Sequence, residues 1–203
     1  MPVDTSLRTS SSFEKTDSNG LTLNVHYSMP FDEYEKSGFL KRGFGLADGS
    51  FTTKMHDFTA SFCVFNGALT VGQTRHPILD ISPFEIADAN EWSGTQPIQI
   101  HTNMNQTRAV HSQERQRLMI ASFNPAMGER FSVGSTHGSK DSVMTVQTRL
   151  NMVLNVAREI AAPFDQQVRE NYRKKKVSPR DDDQELAAAM REMWDEINPH
   201  WEW

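Results

Sequence analysis

The sequence predicts an α+β fold: an antiparallel β-rich body, one long amphipathic helix and a C-terminal helical arm. Three observations carry this. First, residues from about 20 to 135 form short alternating or apolar runs separated by Gly, Pro and Asn, the pattern of strands and turns. Second, the period then changes. Apolar residues at Val143, Val146, Leu150, Val153, Ala157 and Ile160 are three and four apart, which puts them on one helix face. Third, charge is segregated. Residues 181–203 hold eight acids against one base, a net of −7; the totals of 21 bases and 26 acids leave 20 and 18 for residues 1–180, a net of +2. A near-neutral body carrying an acidic, tryptophan-bearing segment suggests an interaction segment.

Three regions follow: a polar N-terminal arm over 1–19, a β-rich body over 20–162 that includes the helix 141–162, and a helical C-terminal arm over 163–203. Residues 1–19 are polar without periodicity, so they are expected to be an arm or a disordered segment. They have no apolar core region, so no secretory signal is expected. Leu21–Tyr27 alternates as a half-buried strand does. Pro30 to Ser50 is expected to be a loop; its Phe31, Tyr34, Phe39 and Phe44 are interspersed with glycines and need burial somewhere, such as in a neighbouring subunit. Residues 58–65 and 68–72 flank Asn66-Gly67, the strongest hairpin signal in the chain. Pro77–Ile81 is expected to be a short strand, 84–96 irregular, 97–102 an alternating strand, 117–123 a more buried strand and 130–133 a short one. The helix 141–162 has Ser139 or Asp141 as caps and Pro163 as its boundary. Its stripe is expected on the sheet, with a helix–helix oligomer seam as the alternative. A second helix over 164–176 places Phe164, Val168 and Tyr172 on one face. Ser178-Pro179 opens a third, up to Pro199.

Several chemistries are set aside. One cysteine, Cys63, allows no intramolecular disulfide and excludes a zinc ribbon or finger. In the strand Phe58–Phe65 it reads as a small core hydrophobe. An intracellular, reducing compartment is expected, or a virion if the protein is viral. No stretch of about 18 apolar residues exists, so no membrane span is expected. The seven histidines show no H-x-x-x-H spacing. The acids Asp80, Glu85, Asp88 and Glu91 lack a calcium-loop pattern. Gly43-Phe-Gly45 matches neither nucleotide-binding glycine motif. No metal and no cofactor are expected.

Two constellations remain. Arg173-Lys174-Lys175-Lys176, with Arg169 and Arg180, forms a basic run suited to phosphates or to a neighbouring subunit. Leu186, Met190, Met193, Trp194, Ile197, Trp201 and Trp203 form an aromatic face that could dock in a partner's groove or fold back on its own domain. Arms at both ends suit a subunit of an assembly, because they lend contact area to neighbours. The first functional reading is therefore a non-enzymatic, assembly-forming structural subunit, such as a viral or phage-type one. It would be a homo-oligomer with nucleic acid or a further protein as partner. A second reading is a single-stranded nucleic-acid-binding protein with an acidic regulatory tail. A third is a small phosphodiesterase using the His-x-Ser pairs His26/Ser28 and His137/Ser139 as acid, base and phosphate ligands.

Overall fold

The computed structural model describes residues 10–16, 21–36, 49–88, 118–136, 140–175 and 181–197, with backbone alone at 10, 30–36, 49–53, 135, 136, 140, 181 and 182. The fold is α+β. Five antiparallel strands form the first sheet in sequential order: β1 (Ser10–Thr16), β2 (Thr22–Lys36), β3 (Gly49–Cys63), β4 (Ala68–Val71) and β5 (Thr74–Pro77). A second sheet holds β6 (Glu85–Asp88), β7 (Leu118–Asn124) and β8 (Glu129–Thr136). Three α-helices follow: α1 (Lys140–Ala161), α2 (Asp165–Lys174) and α3 (Asp181–Ile197), with a 3-10 turn Ala162–Phe164 joining the first two. Among the described residues no helix is long and apolar enough to cross a membrane.

Alternation explains the first sheet. On β2 the odd residues Leu23, Val25, Tyr27 and Met29 are buried, as is Leu21 just before the strand, while Thr22, Asn24, His26 and Ser28 lie on the other face. The core is closed by α1. Every residue of its predicted stripe, from Val143 to Ile160, is fully buried. The stripe therefore packs inside this chain, against both sheets, rather than forming a seam between copies. Polar groups on α1 then grip the irregular segment 78–84. Arg158 Nε donates to the Ile78 carbonyl (3.0 Å) and Nη2 to that of Ile81. Asn151 accepts from the Phe84 N–H (2.7 Å) and, with Gln147, donates to its carbonyl (2.9 and 2.8 Å).

Four expectations change. Ser10–Thr16 is a strand, paired with β2 along its whole length, not an unstructured arm. Its polar residues gave no pattern, but Phe13 opposite Val25 packs against the core. Pro30–Lys36 and Gly49–Ser50 are strand backbone rather than loop, because β2 and β3 pair continuously from Thr22–Cys63 to Lys36–Gly49. Residues 78–81 turn instead of extending: the N–H groups of Asp80 and Ile81 both bond to the Pro77 carbonyl (3.2 and 3.1 Å). Ile78 and Ile81 are buried with the i, i+3 spacing of a turn, not the period of two of a strand. Residues 85–88 are strand, not irregular. The rest of that segment, 89–96, and the expected strand 97–102 lie outside the described residues.

The Asn66-Gly67 hairpin is where it was expected. Gly67 takes φ +59° in the four-residue turn between Cys63 and Ala68, and α2 sits directly on it. A Cβ at this position would lie 2.5 Å from Val168 Cγ1. Glycine is required here both for the left-handed backbone and for the close approach.

The two sheets are joined by buried polar contacts. Tyr27 Oη donates to the Val133 carbonyl at 2.6 Å, and burial pushes its phenol well above the usual range. His76 on β5 is 3% exposed and stacks on Phe131 of β8, ring centroids 3.6 Å apart. Its Nδ1 lies 2.9 Å from the Asn124 amide nitrogen. The Ala126 N–H donates to Asn124 Oδ1 (3.0 Å), which fixes the amide so that its NH2 faces the ring. His76 Nδ1 is therefore an acceptor and the ring is neutral, with its hydrogen on Nε2. Burial lowers its pKa, in keeping with that assignment.

Candidate functional site

The basic run divides. Arg169 is committed within the chain: Nη1 bonds Asp80 at 2.6 Å and Nε bonds Asp165 at 2.8 Å, tying α2 to the 78–81 turn. The Asp80 and Asp165 hydrogen bonds raise its pKa further. Both carboxylates therefore already hold the guanidinium that the sequence assigns to phosphates or a neighbouring subunit. Its spacing from Asp165 is the ordinary helical i, i+4, but the Asp80 contact spans 89 residues and left no local signal. Arg173, Lys174 and Lys175 are exposed at the end of α2, with Lys174 paired to Glu170. Lys175 takes φ +51° and ends the helix, its N–H reaching the carbonyls of Asn171 and Tyr172. Lys176 and Arg180 lie outside the described residues.

The aromatic face is largely spent on its own chain. Met190 is fully buried and Trp194 is 6% exposed. Trp194 stacks on Phe13 of β1 with centroids 5.8 Å apart, and Lys15 Nζ sits 5.7 Å above its ring while pairing with Asp195 at 3.3 Å. Leu186 and Ile197 pack partly buried against the same core, and Met193 is half-buried. Of the two expectations for this helix, docking on a partner or folding back on its own domain, the structure has the second for Met190 and Trp194, which cover β1 and α1 of the same body. Trp201 and Trp203 lie outside the described residues.

Residues that the sequence treated separately meet on the outer face of the first sheet. Cross-strand register sets Ser12, His26 and Thr59 in one row. His26 Nε2 is 3.1 Å from Glu14 Oε2 and Nδ1 is 3.1 Å from Thr59 Oγ1. An ionised carboxylate only accepts, so Nε2 carries hydrogen and, in the neutral ring, Nδ1 accepts from the Thr59 hydroxyl. Beside it, the Ser28 hydroxyl donates to Asp57. An open groove of about 380 Å³ runs over these residues. The order hydroxyl, imidazole, carboxylate is that of an activated nucleophile. These side chains stand on an open sheet face, with the ladder amides in the plane of the sheet beneath them. The phosphodiesterase reading needs His26 beside His137, and His137 lies outside the described residues. Cys63 is half-buried, not fully enclosed, and accepts from Asn66 Nδ2 at 3.1 Å. Among the described residues no three His, Cys, Asp or Glu side chains converge on a metal-sized site.

The remaining candidate surface is the β2–β3 ribbon, which the loop reading of 30–50 concealed. The β1 ladder stops at Ser28 on β2 and the β4 ladder at Ala60 on β3. Beyond those points β2 and β3 continue to Lys36 and Gly49 with each other as their ladder partners among the described residues. From the Pro30–Met55 pair to the Lys36–Gly49 pair this is seven residues a strand, about 24 Å.

Comparison with protein-family models, with curated proteins and with solved structures finds no match.

Proposed function

We propose that this chain is a non-enzymatic, assembly-forming structural subunit that contacts neighbouring copies through the β2–β3 ribbon. The observation that carries this reading is the continuous pairing of the two strands past the ends of β1 and β4. A two-stranded ribbon is at best marginally stable in water unless a third strand or another surface covers it. A chain that keeps so long a ribbon has a use for it outside its own core. The loss of Arg169 to internal pairing weakens the nucleic-acid alternative.

Size-exclusion chromatography with light scattering tests the proposal. The full chain should run above its 23.1 kDa monomer mass in a concentration-dependent way. A variant with residues 32–53 replaced by Asn-Gly should be monomeric yet melt within a few degrees of wild type. Phe31 and Lys54 then close a two-residue hairpin. A wild type that stays monomeric at high concentration, or a shortened variant that assembles normally, would overturn the reading.

A further inference from the structure

The two edges of the ribbon differ, and the hydrogen-bond parity of the ladder says how. The Val64 N–H donates to the Leu21 carbonyl at 2.9 Å, one step beyond the Thr22–Cys63 pair. In an antiparallel ladder a residue's N–H and C=O point to the same side, and successive residues alternate. Even-numbered residues of β3 therefore turn their backbone groups to β2, and odd-numbered ones turn them away. Ser61 and Cys63 meet β4. Phe51, Thr53, Met55, Asp57 and Thr59 face the side on which no described strand is paired. The same parity on β2 sends Thr22, Asn24, His26 and Ser28 toward β1, and the next residue in that series is Pro30.

Pro30 costs the ribbon nothing, since its nitrogen faces away from β3, but it removes a donor from the outer edge of β2. That edge also carries Asp32, Glu33 and Glu35 against Lys36. Proline and like charges are what block a strand edge from pairing with another chain. The β3 edge from 49 to 59 has neither. It contains no proline, its charged residues are one Lys54 and one Asp57, and Phe51, Thr52, Thr53, Phe58 and Thr59 favour strands. At its inner end an open groove of about 430 Å³ lies beside Asp57, Phe58 and Thr59, bounded by Val71, Gly72 and Val133.

We infer that the β3 edge from 49 to 59, on which no described strand is paired, is a strand-addition site whose occupant is β3 of a second copy, paired antiparallel about a two-fold axis. This rests on the assembly reading above and names its contact. A two-fold perpendicular to the sheet preserves its faces, so facing residues have numbers of the same parity and one residue lies opposite itself. Charge favours this pairing over its counterpart on β2. The balanced β3 edge can meet itself without placing acid against acid: with His56 on the axis, Lys54 faces Phe58 and Met55 faces Asp57. The acid-rich β2 edge cannot do so as readily.

Proline scanning tests the parity directly. Thr53→Pro and Met55→Pro each remove an outward N–H, and should weaken self-association at least tenfold in sedimentation equilibrium while the far-UV spectrum stays native. Lys54→Pro, between them, removes a bond to β2 and should lower the melting temperature. In a Cys63→Ser background, single cysteines placed in turn at 53 to 57 should give a disulfide-linked dimer at the axis position and little at its neighbours. That second experiment decides the matter if a proline variant fails to fold. Unchanged association in both outward proline variants, or a cysteine series with no preferred position, would overturn the β3 contact and leave the assembly reading standing. A monomeric wild type would remove both.

Discussion

Helix α1 and the β2–β3 ribbon are the two longest regular features among the described residues, and they solve opposite problems. A helix satisfies its own backbone hydrogen bonds, so α1 needs burial for one side-chain stripe and nothing more. It finds that burial within the chain, with Leu150 and Val153 fully enclosed. Each strand of the ribbon satisfies half of its backbone groups and leaves the other half to whatever lies beside it. Completeness within one chain and incompleteness at its edge thus follow from hydrogen-bond geometry before any side chain is considered.

The largest effect should come from breaking the complete half. Leu150→Asp puts an unpaired carboxylate against the core and should cost about 4 kcal/mol or more, enough to abolish soluble folded protein. Yield and far-UV circular dichroism would check it, and a variant that melts like wild type would show that the stripe is not the core.

Next, Gly67→Ala should cost about 2–4 kcal/mol, from left-handed backbone strain and a Cβ driven into Val168. Urea unfolding would measure it. A smaller loss would mean that α2 can lift off the turn, which would make the body less rigid than the comparison supposes.

The third and smallest effect is a pH dependence at the joint between the sheets. Free histidine titrates near pH 6.5. Folding holds His76 below that value because the ring is buried and Nδ1 faces an amide donor. Burial is the cause of the shift; of the described charged groups nearby, Arg75 lies over the Tyr172 ring and Arg130 pairs with Glu85. Above about pH 6.5 both states are neutral and the joint is intact. As pH falls below that, the unfolded chain takes up the proton first, so stability declines until the folded pKa is reached. The stability advantage of wild type over His76→Gln should therefore shrink between pH 7.5 and pH 5. A constant difference would show that the ring is not held neutral.

The sequence made legible what depends on local period. The α1 stripe, the Asn66-Gly67 turn and the strand at Leu118–Asn124 are each written in fewer than 25 consecutive residues. Features set by distant partners escaped. Ser10–Thr16 has one large apolar residue, and its strand character comes from a complete register with β2. Ile78 and Ile81 look like strand residues until Arg158 takes their carbonyls. Arg169 reads as part of a cationic patch until Asp80 is found beside it. Charge and hydropathy counts cannot see such pairings. For the same reason they left α3 between a partner's groove and its own domain, and only the three-dimensional structure puts Trp194 on Phe13.

The stacking of Phe13 on Trp194 carries a consequence for how the chain is made. The neighbouring Lys15–Asp195 contact joins residues 180 apart in sequence. At ribosomal speeds of about 5–20 residues per second, β1 emerges roughly 10–35 s before the helix that covers it. Throughout that interval β2 and β3 can already pair, since their contacts are nearer in sequence and loop closure favours them. Newly made chains on one messenger would therefore display finished ribbon edges while their cores are still uncovered. If the β3 edge is the contact between copies, assembly can begin between neighbouring nascent chains, and the order of synthesis becomes part of the order of assembly.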